Sequence, residues 1–168
     1  LATTADQRFW KENEKVLFLG EWCKTYSERD TWSGIDYEVL PYHWDDRKKL
    51  HKDFLLLDEL YERCLLVLAG KLNTLHGVDY SPRYWRIIIG PWLNWFIGVL
   101  YDRYLSISAA IDTGKVTETW ISSSPPYCWI PKDFKAFSRW VCGGQTPDSI
   151  CEWTFMDEYN QMLYGYLI

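Results

Sequence analysis

The chain has 168 residues, a length that suits one domain with a substantial buried core. Its 18 basic and 23 acidic side chains give a formal charge of −5 without a basic stripe, so we expect no nucleic-acid partner. Aromatic residues make up 18% of the chain, with 11 Trp among them, and this composition argues against disorder.

Two short strands are predicted near the N-terminus, at residues 1–4 and 16–20, with a single helical turn between them at residues 6–10. The second strand is continuously apolar and ends in Gly20, which is typical of a buried parallel strand that feeds a loop. In open α/β sheets, ligands bind beyond the carboxyl ends of such strands. The loop that starts at Gly20 is therefore a candidate functional segment.

Residues 24–44 are predicted to form an irregular segment with a turn, and a long helix follows. Asp45 and Asp46 suit its N-terminus, where carboxylates cap free N–H groups, and Gly77 suits its end. The apolar side chains of this helix recur close to one face of a 3.6-residue period. They are Phe54, Leu57, Tyr61, Leu65, Leu68, Leu72 and Leu75.

A second long helix is predicted from Ser81-Pro82 to about residue 111, with Ser as the N-cap and Pro in the first turn. Pro91 lies inside it and predicts a kink or a division into two helices. The apolar stretch 87–101 is shorter than the ~20 residues that a membrane-spanning helix needs. We therefore expect a buried core helix and no transmembrane span.

The C-terminal third is predicted to contain a strand at 116–121, a loop at 122–126, a short helix at 131–140, a glycine-rich turn at 142–148 and a final helix at 151–168. The whole chain then reads as one α/β domain or partial domain over 1–168, with short parallel strands and long helices.

The cysteines and the chain ends bear on the cellular compartment and on the length of the whole protein. The five Cys are odd in number and form no CxxC pair, which favours a reducing, cytoplasmic compartment. No signal peptide is visible. Because the chain starts without Met and ends in an apolar run, we expect it to be part of a longer protein.

Candidate catalytic residues come from two segments rich in aromatic and charged side chains, Gly20-Glu21-Trp22-Cys23 and Tyr42-His43-Trp44-Asp45-Asp46. His43 has the right ordinary pKa for a general acid or base, and Glu21 suits either a catalytic base or a ligand of sugar hydroxyls. Asp46 is a candidate to orient His43 or to bind a divalent metal, against the simpler interpretation that it caps the helix.

Candidate binding residues follow from the segment Arg83-Tyr84-Trp85-Arg86. Arg83 and Arg86 lie three residues apart, hence on one helix face near its N-terminus, which suits a phosphate or carboxylate. The alternative is that they pair with acids such as Asp79 or Glu62. Trp22, Trp44 and Trp85 are candidates to stack on a ligand ring, although most Trp side chains serve the core. Kinase, dehydrogenase, metalloprotease and α/β-hydrolase signatures are absent.

The sequence resembles a family of transferases encoded mostly in bacterial O-antigen and surface-polysaccharide regions. The resemblance lies in the peptides at 1–4, 18–23, 42–47 and 83–92, and in Asp157-Glu158-Tyr159-Asn160, where the family would have Trp in place of Tyr159. It covers nearly the whole chain.

The resemblance implies a function in surface-polysaccharide assembly. If the family is similar to two-lobed (GT-B-like) glycosyltransferases, this chain would be the N-terminal, acceptor-side lobe, and the nucleotide-sugar donor would bind mainly in a C-terminal lobe of the same protein. The implied partners are the nucleotide sugar and a glycan or lipid-linked acceptor. The implied location is the cytoplasm, with peripheral contact at the inner face of the membrane left open, and no cofactor is expected on this segment.

Two other functions remain open at this point. A non-catalytic carbohydrate-binding or assembly module would need the aromatic and arginine side chains but no base. A metal-dependent hydrolase would use His43, Asp45 and Asp46, although these give few ligands at metal-binding spacing.

Overall fold

The structure is a computed structural model that describes residues 1–11, 14–120 and 132–142. The α-helices are α1 (Arg29–Trp32), α2 (Arg47–His76), α3 (Pro82–Asp112) and α4 (Phe134–Cys142); the strands are β1 (Val16–Phe18) and β2 (Tyr37–Val39). Short 3₁₀-helices span Gln7–Phe9, Glu21–Cys23 and Tyr26–Glu28. The predicted α/β class, with short parallel strands and long helices, is confirmed.

The chain divides into two compact units. The sheet unit contains residues 1–43 and the chain from 103 onward, and the helix-pair unit contains residues 44–102. Helix α3 contributes its first part to the helix-pair unit and its last ten residues, 103–112, to the sheet unit.

Two parallel strands form the sheet, with Leu17 of β1 opposite Glu38 of β2. Ala2 extends this arrangement through an isolated parallel bridge to Phe18, in which the Ala2 N–H donates to the Leu17 carbonyl at 2.9 Å. The predicted buried strand at 16–20 is confirmed as β1, whereas the predicted strand at 1–4 is reduced to this single bridge. Strand β2 falls in the stretch that the sequence predicted as irregular.

The core of the sheet unit forms between β1 and the C-terminal part of α3. Its buried members are Ala2, Trp10, Val16, Phe18, Leu19, Cys23, Leu40, Ile107 and Ala110. The Trp10 ring meets Phe18 edge to face at 5.0 Å, and its indole N–H donates to the Thr4 carbonyl at 2.8 Å. This satisfied indole allows Trp10 to fill the core without leaving a buried polar group unpaired.

The later part of the sheet unit departs from prediction in one element. Residues 115–120 form no regular strand; instead this segment lies along the N-terminus, where the Thr119 hydroxyl donates to the Leu1 carbonyl at 3.1 Å. The predicted helix at 131–140 appears as α4, shifted by about three residues at its start. The predictions for 122–126, 151–168 and nearly all of 142–148 lie outside the described residues.

The ends of the two long helices agree with the capping signals. The Asp46 carboxylate accepts from the backbone N–H groups of Lys48 and Lys49 at 2.9 and 3.3 Å, and Gly77 ends α2 with φ 64°. Ser81 precedes α3 and accepts from the Tyr84 N–H at 3.4 Å. Helix α3 continues through Pro91, so the predicted division into two helices is not observed.

Helices α2 and α3 run antiparallel. Glu62 of α2 pairs with Arg86 of α3, and Asn73, near the end of α2, bonds to Trp85, near the start of α3. No helix among the described residues has the length and apolar character needed to cross a membrane.

The buried face of α2 differs from the predicted one at both ends. Phe54 and Leu75 were expected on the apolar face, yet their side chains are 62% and 76% exposed. Buried and half-buried residues instead recur every four residues from Asp53 through Leu65 to Asn73. Since four residues exceed one helical turn, this contact line winds around α2 and leaves Phe54 and Leu75 outside it.

Candidate functional site

Three parallel segments of the sheet unit end at the same edge of the sheet. Ala2 is followed by two buried threonines, β1 by the loop at residues 20–23, and β2 by Leu40 and then residues 41–43. Ligands of parallel α/β sheets bind at this carboxyl edge. We call the group formed there by Glu21, Trp22, Tyr42 and His43 the carboxyl-edge site.

Aromatic rings link the two loops of the carboxyl-edge site. The rings of Trp22 and Tyr42 meet edge to face with their centroids 6.1 Å apart, and the Tyr42 and His43 rings are 4.6 Å apart. Trp22 and Tyr42 keep 41% and 37% of their surface exposed. His43 is half-buried, and its Nε2 atom is shielded from solvent. The site therefore places an imidazole beside an exposed aromatic surface.

The position of Trp22 depends on the absence of a side chain at residue 20. A Cβ added to Gly20 would lie 2.1 Å from Cζ3 of the Trp22 ring and 2.3 Å from Cη2. The backbone at Gly20 is extended, with φ −178°, so every residue could adopt it. Glycine is needed at this position because the indole packs directly against the main chain.

Glu21 begins the 3₁₀-helix that follows β1, and its side chain is 77% exposed. Its Oε2 atom lies 2.9 Å from Nζ of Lys24, whose side chain is only 12% exposed. The predicted position of Glu21 and Trp22 beyond the carboxyl end of a buried parallel strand is confirmed. Because β2 was not predicted, the sequence did not show that Tyr42 and His43 would lie at the same edge.

Three of the candidate residues, Glu21, Trp22 and His43, are brought to the carboxyl-edge site. The other five belong to the helix-pair unit: Trp44, Asp46, Arg83, Trp85 and Arg86. Within that unit, the Asp46 carboxylate caps α2, as the simpler interpretation of the sequence had it.

Asp53 is a charged residue that the sequence analysis missed. It is 5% exposed, and its carboxylate accepts from the Trp44 indole N–H at 3.0 Å, the Lys49 ammonium at 2.5 Å and the Tyr101 hydroxyl at 3.4 Å. Burial raises the pKa of Asp53, but the hydrogen bonds from Lys49 and Trp44 outweigh it and bring the pKa below its ordinary value. The spacing of Lys49 and Asp53, four residues apart on a helix, was the available signal.

Trp44 thus has its indole N–H directed to Asp53, and its ring is half-buried. Trp85 is only 7% exposed; its indole N–H donates to Asn73 at 2.8 Å, and its ring stacks on His76 at 6.0 Å. Both indoles therefore contribute to the packing of the helix-pair unit, and their contact with a ligand stays a prediction.

Arg83 and Arg86, the two arginines predicted to bind a phosphate or carboxylate, have different environments. Arg86 makes a two-pronged contact with Glu62, with N–O distances of 2.5 and 2.6 Å, and its guanidinium lies over the Tyr61 ring. The hydrogen bonds that Arg86 donates to the Glu62 carboxylate raise the pKa of Arg86. Arg83 lies exposed in the first turn of α3. A ligand anion would have to compete with Glu62 for Arg86, whereas Arg83 faces solvent.

The carboxyl-edge site has the components to bind a neutral polar ring: an exposed aromatic surface, a carboxylate that accepts hydrogen bonds from hydroxyls, and an imidazole that can accept a proton. Across residues 1–11, 14–120 and 132–142, no cluster of three or more His, Cys, Asp or Glu side chains is placed to hold a metal ion.

Comparison with known proteins places the chain in a family. The sequence profile described as LIC12162 family transferase matches residues 1–168. No curated protein and no solved structure matches the chain. A profile match over the whole chain establishes that it belongs to the LIC12162 family of transferases.

Proposed function

We propose that this chain is the acceptor-side lobe of a glycosyltransferase-like enzyme of bacterial O-antigen or surface-polysaccharide synthesis. The reaction moves a sugar or related group from a nucleotide-activated donor to a glycan or lipid-linked acceptor. The observation that supports it best is the carboxyl-edge site, because Glu21, Trp22, Tyr42 and His43 meet where α/β sheets bind ligands. Family membership supplies the transfer chemistry in general terms.

Each residue of the carboxyl-edge site has a role in this proposal. The exposed ring of Trp22 stacks on the apolar face of the acceptor sugar, and Glu21 accepts hydrogen bonds from its hydroxyls. His43 removes the proton from the attacking hydroxyl through Nδ1, because its Nε2 atom is shielded from solvent. The new bond forms to the donor sugar as the bond from that sugar to the nucleotide phosphate breaks, and the nucleotide leaves with its phosphate charge. An imidazole suits this role because its ordinary pKa lies near neutral pH.

The helix-pair unit contributes charge in this proposal. Arg83 is exposed near the N-terminus of a long helix and is available to contact a phosphate of the donor or of a lipid carrier. Arg86 contributes only if it leaves Glu62. The donor nucleotide binds mainly to a C-terminal lobe of the same protein, and the enzyme works in the cytoplasm, at or near the inner face of the membrane.

The first test is a thermal-shift screen of the full-length protein against nucleotide sugars and free nucleotides, with and without magnesium or manganese. A ligand that binds only the folded state raises the melting temperature by mass action. A shift with a nucleotide sugar in the absence of metal supports the transferase. A shift caused by metal alone favours the hydrolase, and no shift with any nucleotide contradicts the proposal.

Turnover with the donor so identified then tests the site. His43→Ala should lower kcat by at least 100-fold with little change in donor affinity, because a positioned base contributes 10²–10⁴-fold. His51→Ala is the matched control, since His51 lies exposed on α2 and should leave kcat unchanged. Equal activity of the two variants would show that His43 is not the base.

A non-catalytic carbohydrate-binding module is the second candidate, because the exposed Trp22 and Tyr42 rings could bind a sugar without any base. It predicts that the wild-type protein binds glycan but turns over no nucleotide sugar, and that His43→Ala keeps full affinity. Trp22→Ala should weaken sugar binding by about 10-fold under both proposals, because the stacking surface is lost, whereas Trp120→Ala, at an exposed Trp of the same unit, should not.

A further inference from the structure

Lys24 is a nearly buried cation next to the carboxyl-edge site, and neither the family nor the proposed reaction gives it a role. Its Nζ atom lies 5.0 Å from the centre of the Tyr37 ring and 5.4 Å from the centre of the Trp32 ring. Both distances fall within the range of cation–π attraction. The ammonium therefore occupies a cage of two aromatic rings, and Glu21 supplies a carboxylate to it at 2.9 Å.

The cage is itself fixed to the fold. The Trp32 indole N–H donates to the Thr25 carbonyl at 2.8 Å, and its ring meets Tyr37 edge to face at 6.1 Å. Tyr37 begins β2 and also meets the core residue Phe18 at 5.4 Å. The position of the Lys24 ammonium is thus set by the sheet and by the helix that precedes β2.

The ion pair is asymmetric in its burial. Only 12% of the Lys24 side chain is exposed, against 77% of that of Glu21. An ion pair open to solvent contributes little stability, whereas withdrawing an ammonium from water is costly unless it is compensated. The effect specific to this geometry is on Glu21: one carboxylate oxygen is held by the Lys24 ammonium, and most of the side chain still faces solvent.

We infer that Lys24 is a positioning residue that orients Glu21 as a hydrogen-bond acceptor for sugar hydroxyls at the carboxyl-edge site. This inference rests on the proposed function and deepens it. Glu21 recognises the acceptor sugar, and proton removal falls to His43. Lys24 itself does not touch the sugar, because its ammonium is enclosed by Trp32, Tyr37 and Glu21.

Two variants of the full-length protein test the role of Lys24. Lys24→Met keeps the aliphatic stem between the rings and removes only the charge. Lys24→Ala empties the cage, which propylammonium can then refill, while 1-propanol serves as the uncharged counterpart. Lys115→Met is the matched control, because Lys115 pairs with Glu38 in the same unit and its side chain is 59% exposed, so the variant removes one lysine charge from the surface.

The measurements are sugar affinity and amide hydrogen exchange of residues 20–24. We expect Lys24→Met to raise the Kd for the sugar by about 10-fold, the loss that fits one charge-assisted hydrogen bond. Exchange in the loop should become faster. Propylammonium, but not 1-propanol, should restore both properties to Lys24→Ala, and Lys115→Met should change neither.

The outcomes separate this inference from the proposed function. Lys24→Met with wild-type affinity, or Lys115→Met with an equal loss, overturns the positioning role and leaves the transferase proposal standing. If the wild-type protein binds no sugar or nucleotide sugar, the proposed function fails. The inference then fails with it, whereas unchanged exchange in Lys24→Met overturns the positioning role whether or not a sugar binds.

Discussion

Gly20→Ala should damage the carboxyl-edge site while barely affecting stability. The added Cβ would lie 2.1–2.5 Å from three carbons of the Trp22 ring, whereas non-bonded carbons approach to about 3.5 Å, so the ring must retreat by more than ~1 Å. Because the backbone is extended, with φ −178°, alanine brings no backbone strain and restricts the unfolded chain, a gain of ~0.4–1 kcal/mol.

The displacement of the Trp22 ring opposes this gain in stability. Overpacking costs ~1–3 kcal/mol in a closed core, and the lower end applies because Trp22 is 41% exposed and can turn outward. The net loss in free energy of unfolding should be about 1 kcal/mol or less. Loss of the stacking surface, worth ~0.5–1.5 kcal/mol, should weaken sugar binding by about 3- to 10-fold.

The assay is urea unfolding together with calorimetric titration of the sugar found in the screen. Gly34→Ala is the matched control, since its Cβ would meet the two nearest backbone oxygens at ordinary distances of 3.6 and 3.7 Å. If Gly20→Ala bound sugar as tightly as Gly34→Ala, the contact between Trp22 and the backbone would not control the site, and the reasoning would be refuted.

Three further predictions concern the helix-pair unit. Asp46→Ala should lower the free energy of unfolding by ~0.5–2 kcal/mol in urea titrations because α2 loses its cap, and Asp45→Ala should cost less. Asn73→Ala should lower the free energy of unfolding by ~1–3 kcal/mol, because the Asn73 amide hydrogen-bonds both backbone groups of Tyr80 and the Trp85 indole. The control Asn94→Ala, at an exposed position, should leave this free energy nearly unchanged. The pKa of Asp53 is lower in the folded than in the unfolded protein, so the ionised carboxylate stabilises the fold fully above the unfolded pKa of about 3.9. This stability is lost as the pH falls through the folded pKa. In Asp53→Asn, the free energy of unfolding measured from pH 2 to 6 should therefore depend less steeply on pH. A steeper dependence would contradict this account.

The elements that could be predicted from sequence are those with strong local signals. Strand β1 has a continuous apolar run, and α2 and α3 carry their own caps at Asp46, Gly77 and Ser81. Strand β2 could not be found in this way, because Tyr37-Glu38-Val39 is short, has a charged centre and becomes a strand by pairing with β1. Residues 115–120 show the converse: β-branched side chains did not produce a strand there.

The candidate site was predictable in part for the same reason. Glu21 and Trp22 follow the predictable strand, so their position at the carboxyl edge could be expected. Their meeting with Tyr42 depends on the pairing of β1 with β2, which no local pattern reports. The burial of Asp53 was not predicted, because a charged residue on an amphipathic helix is expected on the solvated face. Its burial is explained only by the tertiary contacts from Trp44 and Tyr101.

The helix-pair unit is inserted along the chain between the two parts of the sheet unit, and this order has a consequence for folding. The helix-pair unit is a contiguous stretch, 44–102, so it can form while the chain is still being synthesised. The core around Phe18 also requires Ile107 and Ala110, roughly ninety residues further on. Forming this core therefore requires the closure of a longer loop, at a larger cost in chain entropy than forming the helix pair. A helix pair that has already formed lowers this cost, because it shortens the flexible chain between β1 and the end of α3. A fragment of residues 1–102, which contains the whole helix-pair unit but neither Ile107 nor Ala110, should show a protected helix pair and an unprotected β1.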